Sequence, residues 1–232
     1  MFYAKEVHVL MTEILNLSGM YERYDLSSFG EVNFIDLRDT PGTKLYVEAE
    51  GEKLIRMRIS GGRENKIHLI DIGDYHYITR LYLYYEKEPL DLLVFDNHSD
   101  DQAPMIEGLR SCGSWIRDAL YDMPETLMSV KLIKSYNDRR YLKGSFDIKR
   151  PLYISIDKDV LSFEECPTNW DQGDMDPGIM LDILKNEAEN REIVGIDICG
   201  GPAMQDASDT DIRKNETVDK RLIDYIKSYV KG

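Results

Sequence analysis

Three short segments of the sequence carry acidic and imidazole side chains in close succession. They are GDYH (73–76), DNHSD (96–100) and SIDKD (155–159). In an extended chain, residues two positions apart point to the same side, so Asp96, His98 and Asp100 can converge on one point, and so can Asp157 and Asp159. The candidate metal ligands are His76, Asp96, His98, Asp100, Asp157 and Asp159.

Four carboxylates in one partly buried pocket repel each other unless cations compensate them. Two divalent metal ions balance the four negative charges. If two carboxylates bridge, the six side chains supply eight bonds, or four to each metal. Oxygen-rich sites with imidazole suit Mn²⁺ best, and Fe²⁺, Co²⁺ and Zn²⁺ are also compatible. Two such metals lower the pKa of a shared water, so the pattern indicates hydrolytic chemistry.

The elements that must position these segments are short apolar runs followed by turn residues. Asp96 follows LDLLVF and Asp157 follows LYISI, and runs that are apolar on both faces are typical of buried parallel strands. Ligands bind beyond the carboxyl ends of such strands. The strand-like runs are 12–17, 32–37, 66–72, 90–95, 130–133, 151–156 and 193–198. Segments with helical spacing are 47–60, 75–86, 115–121, 177–190 and 217–230. The alternation predicts an α/β fold, a three-layer α/β/α sandwich with a mostly parallel sheet, in a single domain over residues 1–232.

The three segments resemble the metal signatures of the arginase/agmatinase (ureohydrolase) family. Those signatures are a Gly-Gly-x-His motif, an Asp-Ala-His-x-Asp motif and a Ser-x-Asp-x-Asp motif, and the segments occur here in the same order. Asp176-Pro177-Gly178 and GIDI (195–198) are further similarities, so the resemblance covers roughly residues 66–200. It implies the arginase/deacetylase fold and a binuclear hydrolase of non-peptide carbon–nitrogen bonds in guanidino, amidino or amide small molecules.

The resemblance also implies a role for each ligand. One metal would bind His76, Asp96, Asp100 and Asp157, and the second would bind His98, Asp96, Asp157 and Asp159. Asp96 and Asp157 would bridge the two metals. Asp100 would in addition be catalytic, because it would orient the metal-bridging hydroxide and relay its proton to the leaving amine.

Two arginase features have no counterpart in this chain. Arginases carry a Glu after the late strand that holds the substrate guanidinium, whereas here the run is Asp197-Ile198-Cys199-Gly200-Gly201. Arginases also carry a proton-shuttling His downstream of the second motif, and no His follows His98 here. Three alternatives therefore stay open: a single-metal zinc deacetylase-like enzyme, which has no use for Asp159, a non-catalytic metal- or ligand-binding protein, and an acidic scaffold without a metal site.

The composition argues against some classes of binding partner. The net charge is −14, from 43 acidic against 29 basic residues, which argues against nucleic acid or an anionic membrane surface as a partner. No apolar run is long enough to span a membrane and the first residues do not form a signal peptide, so a cytoplasmic location is expected. The expected partner is a small-molecule substrate, and the family resemblance implies that the chain can also form a homo-oligomer.

The segment TNWDQGD (168–174) follows the SIDKD strand at the edge where loops shape the pocket. Asn169 and Trp170 are the candidate substrate-binding residues, together with Asp171 and Gln172. The three cysteines are too few and too widely spaced for a disulfide framework. Cys112 has no nearby histidine to activate it, so we expect it to be a small buried side chain rather than a nucleophile.

Overall fold

A mostly parallel sheet of eight strands lies at the centre of the fold in the computed structural model, which describes residues 11–59, 67–104, 106 and 108–229. Its strands, in chain order together with two short ones outside it, are β1 (Thr12–Asn16), β2 (Val32–Asp36), β3 (Tyr46–Val47), β4 (Ile67–Leu69), β5 (Leu90–Phe95), β6 (Arg110–Ser111), β7 (Leu127–Ile133), β8 (Arg139–Lys143), β9 (Leu152–Asp157) and β10 (Ile193–Cys199). The order across the sheet is β2-β1-β4-β10-β9-β5-β7-β8. Only β8 runs antiparallel to its neighbour within this sheet, and β3 and β6 form a separate antiparallel pair.

Five α-helices among the described residues flank the sheet. They are α1 (Ala49–Arg58), α2 (Ile78–Leu83), α3 (Trp115–Asp122), α4 (Pro177–Ala188) and α5 (Asp209–Tyr229). Helix α2 packs on α3, and α4 packs on α5. Helix α4 begins as its sequence indicates, because the Asp176 carboxylate accepts hydrogen bonds from the backbone N–H groups of Gly178 and Ile179. No helix in the described part of the chain is long and apolar enough to cross a membrane.

The predicted three-layer α/β/α sandwich with a mostly parallel sheet is confirmed. Strands β5, β9 and β10 are buried at every position, which explains their continuous apolar sequences. Strand β8 was not predicted, because its sequence RRYLK is charged and half-exposed, as is common for the edge of a sheet. The predicted helix over 75–86 is shorter, since a 3₁₀ turn at Gly73–Tyr75 precedes α2.

Three residues at the ends of predicted elements, Ser60, Lys66 and Val230, lie outside the described residues. The organisation of residues 1–232 as a single domain stays a prediction.

Candidate metal centre

The two acidic segments meet because their strands are neighbours. Strands β5 and β9 pair in parallel with Phe95 opposite Ile156, so Asp96 and Asp157 occupy adjacent positions at the carboxyl edge of the sheet. Asp159 follows in a 3₁₀ turn at Lys158–Val160, and its backbone N–H donates to Asp157 Oδ1 at 3.0 Å. The sequence therefore brings these acids together by strand pairing, as predicted.

His76 reaches the same place from strand β4. The 3₁₀ turn at Gly73–Tyr75 leads directly into His76, whose side chain is buried. Strand β10 lies between β4 and β9, and it is followed directly by Gly200 with φ +97°. A Cβ at Gly200 would lie 2.7 Å from Asp157 Oδ1, so glycine is required there for the close approach of the backbone to the carboxylate.

We call His76, Asp96 and Asp100 the inner group, and all three are buried. Nδ1 of His76 lies 3.2 Å from Asp100 Oδ2, 3.3 Å from Asp96 Oδ2 and 3.4 Å from Asp157 Oδ2. It makes no hydrogen bond to any of them, while Nε2 lies 2.8 Å from Ser155 Oγ. The ring thus turns one nitrogen towards three carboxylate oxygens, an arrangement suited to a shared cation.

We call Asp96, His98 and Asp159 the outer group. His98 Nδ1 lies 2.7 Å from Asp159 Oδ2 and 3.6 Å from Asp96 Oδ1. The backbone N–H of His98 donates to Asp96 Oδ1 and that of Asn97 donates to Asp159 Oδ1. The His98 side chain is 31% exposed, so the outer group opens towards solvent. In each group the candidate ligand atoms lie within 4.8 Å of one another, and Asp96 belongs to both.

The carboxylates of the two groups disfavour each other's ionisation, because they are buried close together. Burial and the neighbouring Asp159 raise the pKa of Asp157 to about 8. Burial and Asp96 raise the pKa of Asp100 to about 7 and that of Asp159 to about 6. These directions show that the protein alone supplies too little positive charge to keep all the acids ionised near neutral pH.

The two imidazoles compensate only part of this charge. Burial opposes ionisation of Asp96, but His76 and His98 hold the pKa of Asp96 below its ordinary value. The hydrogen bonds with Asp159 and Asp96 raise the pKa of His98 to about 10. Asp96 Oδ2 and His76 Nδ1 are buried without a hydrogen-bond partner. Such atoms are costly unless a ligand satisfies them, so the donor set fits divalent metal ions.

Trp115, at the start of α3, is a site residue that the sequence did not indicate. Its indole N–H donates to Asp100 Oδ2 at 2.7 Å, and its ring lies 4.9 Å from that of His76. Asp100 itself has φ +46°, a left-handed conformation that is uncommon outside glycine. Nothing in the spacing of SCGSW points to this contact, because it depends on where α3 begins in space.

A cavity of about 340 Å³ opens over the two groups. Its wall includes Trp170, whose ring centroid lies 5.8 Å from that of His98. The Asn169 side chain bonds to the segment before His76: its Oδ1 accepts a hydrogen bond from Gly73 N, and its Nδ2 donates one to Asp74 Oδ1. Asp74 Oδ1 also accepts a hydrogen bond from Trp170 Nε1. The side chain of Gln172 bonds within its own loop, and Asn97 Nδ2 donates to the Asp171 carbonyl.

Cys112 also lines the cavity, and burial raises the pKa of its thiol to about 12. A thiol that stays protonated is a poor nucleophile, which agrees with the role expected from the sequence. Cys166 and Cys199 are buried free thiols as well.

Comparisons with known proteins identify chains with a similar fold. No protein-family model matches the chain. An uncharacterized protein of Thermotoga maritima is 28% identical over 201 residues, which cover 82% of this chain and 79% of that protein. Among solved structures, a hypothetical agmatinase from Burkholderia thailandensis superposes with a TM-score of 0.62 at 18% identity, covering 99% of this chain and 90% of that one.

Two further structures are similar. The formimidoylglutamase of Bacillus subtilis has a TM-score of 0.62 at 13% identity, covering 98% of this chain and 95% of its own. The arginase of Medicago truncatula has a TM-score of 0.58 at 16% identity, covering 95% of this chain and 87% of its own. At these identities the likeness concerns the fold. The chain has the fold of the arginase/agmatinase ureohydrolases.

Proposed function

We propose that this protein is a binuclear metal-dependent hydrolase that cleaves a non-peptide carbon–nitrogen bond in a small molecule. The observation that carries the proposal is the position of Asp96, which belongs to both the inner and the outer group. A carboxylate shared between two sets of ligands is what a bridged pair of metals requires. The similar structures described as agmatinase, formimidoylglutamase and arginase support the same reaction class.

In this proposal the six ligands are His76, Asp96, His98, Asp100, Asp157 and Asp159, and the metals are Mn²⁺. Two bound divalent ions would supply a water acidified for attack at neutral pH and would stabilise the negative charge that develops on the substrate. The four carboxylates would balance the four positive charges of the two metal ions. The neutral tautomer of His76 with a proton on Nε2 can donate to Ser155 Oγ, which leaves Nδ1 as the ligand atom.

Asp100 has the catalytic role. Its Oδ2 is fixed by the Trp115 indole, so the carboxylate is held in one orientation at the floor of the cavity. From there it accepts a proton from the attacking water and returns it to the leaving nitrogen, which departs as a neutral amine.

Trp170 and Asn169 serve the substrate in different ways. The Trp170 ring faces the cavity and can pack on the substrate. Asn169 joins the loop to Gly73 and Asp74 and thereby sets the position of Trp170. A cytoplasmic location and homo-oligomer formation stay predictions.

Metal content per chain tests the proposal most directly. We expect about two equivalents of Mn²⁺ by elemental analysis of protein purified with Mn²⁺ and without chelator. The D96A variant should lose both metals, because both groups lose a ligand, and it should lose all hydrolysis of guanidino, amidino and amide compounds. Asp101 is exposed beside Asp100, so D101A is the matched control and should keep both metals.

Other outcomes point to the alternatives. One metal per chain would favour a single-metal deacetylase-like enzyme, and two metals without hydrolysis would favour a non-catalytic binding protein. Full metal content or full turnover in D96A would contradict the proposed centre.

A further inference from the structure

Building on the proposed function, we propose that the substrate presents an uncharged trigonal carbon, a carboxamide or a ureido group, joined to an apolar or aromatic body. The inference comes from the wall of the cavity above the metal ligands. It concerns the substrate class alone and leaves the proposed ligands and reaction unchanged.

Among the described residues, the charged side chains of the wall all belong to the proposed ligand set. They are Asp96, His98, Asp100, Asp157 and Asp159. The rest of the described wall is uncharged and includes Tyr46, Ala103, Ser111, Cys112 and Trp170. A bound cationic group would therefore have to share the carboxylates that already bind metal.

The charge balance leaves little for such a cation. Four carboxylates and two divalent ions sum to zero, so the loaded centre offers no surplus negative charge. A guanidinium that leaves water for the cavity needs a carboxylate partner to offset the hydration that it loses. A carboxamide or ureido group is neutral and needs only hydrogen bonds, so its entry costs less.

Asp74 lies near the cavity but does not supply the missing carboxylate partner. Asp74 Oδ1 already accepts hydrogen bonds from Asn169 and Trp170, and Asp74 does not line the cavity. Gly200, directly after β10, has no side chain to offer, and a Cβ there would lie 2.7 Å from Asp157 Oδ1 and 3.0 Å from Lys158 N. The described surroundings thus place no free carboxylate opposite a substrate cation.

The rim of the cavity favours an apolar body. Leu45, Tyr46 and Trp170 are 38%, 43% and 40% exposed, and all three line the opening. Leu45 has φ +67°, a strained conformation for a branched side chain, and its carbonyl accepts from Cys112 N at 2.9 Å. Exposed apolar groups and backbone strain around one opening are typical of a binding site.

The reaction on such a group is balanced by water alone. For a carboxamide, the water oxygen forms a bond to the carbonyl carbon and the carbon–nitrogen bond breaks. The nitrogen leaves with the proton that Asp100 carries, and the products are a carboxylic acid and an amine. No oxidant or reductant takes part.

A matched pair of ligands tests the inference. We would measure binding of 3-phenylpropylurea and 3-phenylpropylguanidine to the Mn²⁺-loaded chain by calorimetry, with metal content determined on the same sample. The two ligands have the same shape and differ in charge at neutral pH. We expect the urea to bind about tenfold more tightly or better.

A pair of variants at the rim gives a second measurement. Ala103 is exposed on the cavity wall and is not a proposed ligand, so A103D adds a carboxylate and A103N adds a neutral group of the same size. A103D should improve guanidine binding about threefold relative to A103N, as expected for a partly exposed ion pair, and the two variants should bind the urea equally.

The outcomes separate the two proposals. Two metals per chain with equal or tighter binding of the guanidine would overturn the neutral-substrate inference and leave the hydrolase proposal intact. Two metals with no binding of either ligand would also overturn the inference. Fewer than two metals would overturn the proposed function, and the inference with it.

Discussion

Strand β5 has a buried acid near each end, and the two acids have opposite surroundings. Asp91, near its beginning, is fully buried and accepts hydrogen bonds from Ser129 Oγ at 2.6 Å, Arg150 Nε at 2.7 Å and Arg191 Nη2 at 2.6 Å. Asp96, just past its carboxyl end, lies beside other carboxylates and has one oxygen without a hydrogen-bond partner.

The difference shows how a structural acid can be distinguished from a candidate metal ligand. Asp91 has two guanidinium groups on its own oxygens, so the protein itself provides the compensating charge. At the other edge four carboxylates share two imidazoles, and three of the acids have raised pKa values. A fold that neutralises a buried acid at one edge and leaves several uncompensated at the other supports the proposal that cations bind there.

The largest effect is expected at Asp91. The D91N variant removes the negative charge and leaves Arg191, whose side chain is 3% exposed, without its ionic partner. Breaking such a buried pair should lower the free energy of unfolding by about 3–5 kcal/mol. Urea titration measures the change, and metal content should stay at the wild-type value because Asp91 lies at the opposite end of β5.

A matched control uses an exposed pair. Asp224 and Lys220 form an ion pair on α5 with side chains 61% and 41% exposed, so D224N should change the free energy of unfolding by less than about 1 kcal/mol. If D91N were as mild as D224N, or if it released metal, the contrast between the two ends of β5 would not hold.

The next effect concerns pH and the metal-free chain. The folded-state pKa values of Asp157 and Asp100 are about 8 and about 7, above the ordinary value of 3.8, so the folded chain binds more protons than the unfolded chain between these limits. The free energy of unfolding should therefore decrease as pH rises from about 4 to 8, by several kcal/mol. The raised pKa of His98 acts in the same direction above pH 6.5.

Added metal should reverse this trend, since the ligands bind metal in their deprotonated forms. Urea titrations at several pH values, with chelator or with Mn²⁺, measure both slopes. D157N should flatten the metal-free slope, because it removes the group with the highest carboxyl pKa. A metal-free chain that gains stability as pH rises towards 8 would contradict the electrostatic description of the site.

Much of the centre could be predicted because it depends on local order and strand pairing. Asp96 and Asp157 follow continuous apolar runs, and such runs form central parallel strands whose carboxyl ends meet. The family resemblance added His76, which approaches from β4 across the end of β10. The structure brings all six predicted ligands to one edge of the sheet.

Other features could not be predicted, because they arise from tertiary packing. The bond from Trp115 to Asp100 depends on the placement of α3, and β8 has a charged sequence that resembles a loop. The hydrogen bonds of the Asn169 amide to Gly73 and Asp74 are not revealed by spacing along the chain, and contact of Asn169 with the substrate stays a prediction.

A smaller effect is expected at Asp100, whose surroundings are intermediate between those of Asp91 and Asp96. Asp100 receives a hydrogen bond from one neutral donor, the Trp115 indole, at 2.7 Å. W115F keeps an aromatic ring but removes this donor, so the carboxylate loses its fixed orientation and the inner group should bind Mn²⁺ about fivefold more weakly, or about 1 kcal/mol. W170F is the control, because the Trp170 indole donates to Asp74, which is not a proposed ligand. Calorimetric titration of the metal-free variants with Mn²⁺ should show the weaker site in W115F only. Equal affinity in both variants would mean that Trp115 acts only as a core residue, and the orientation of Asp100 would then rest on its left-handed backbone and on the metal itself.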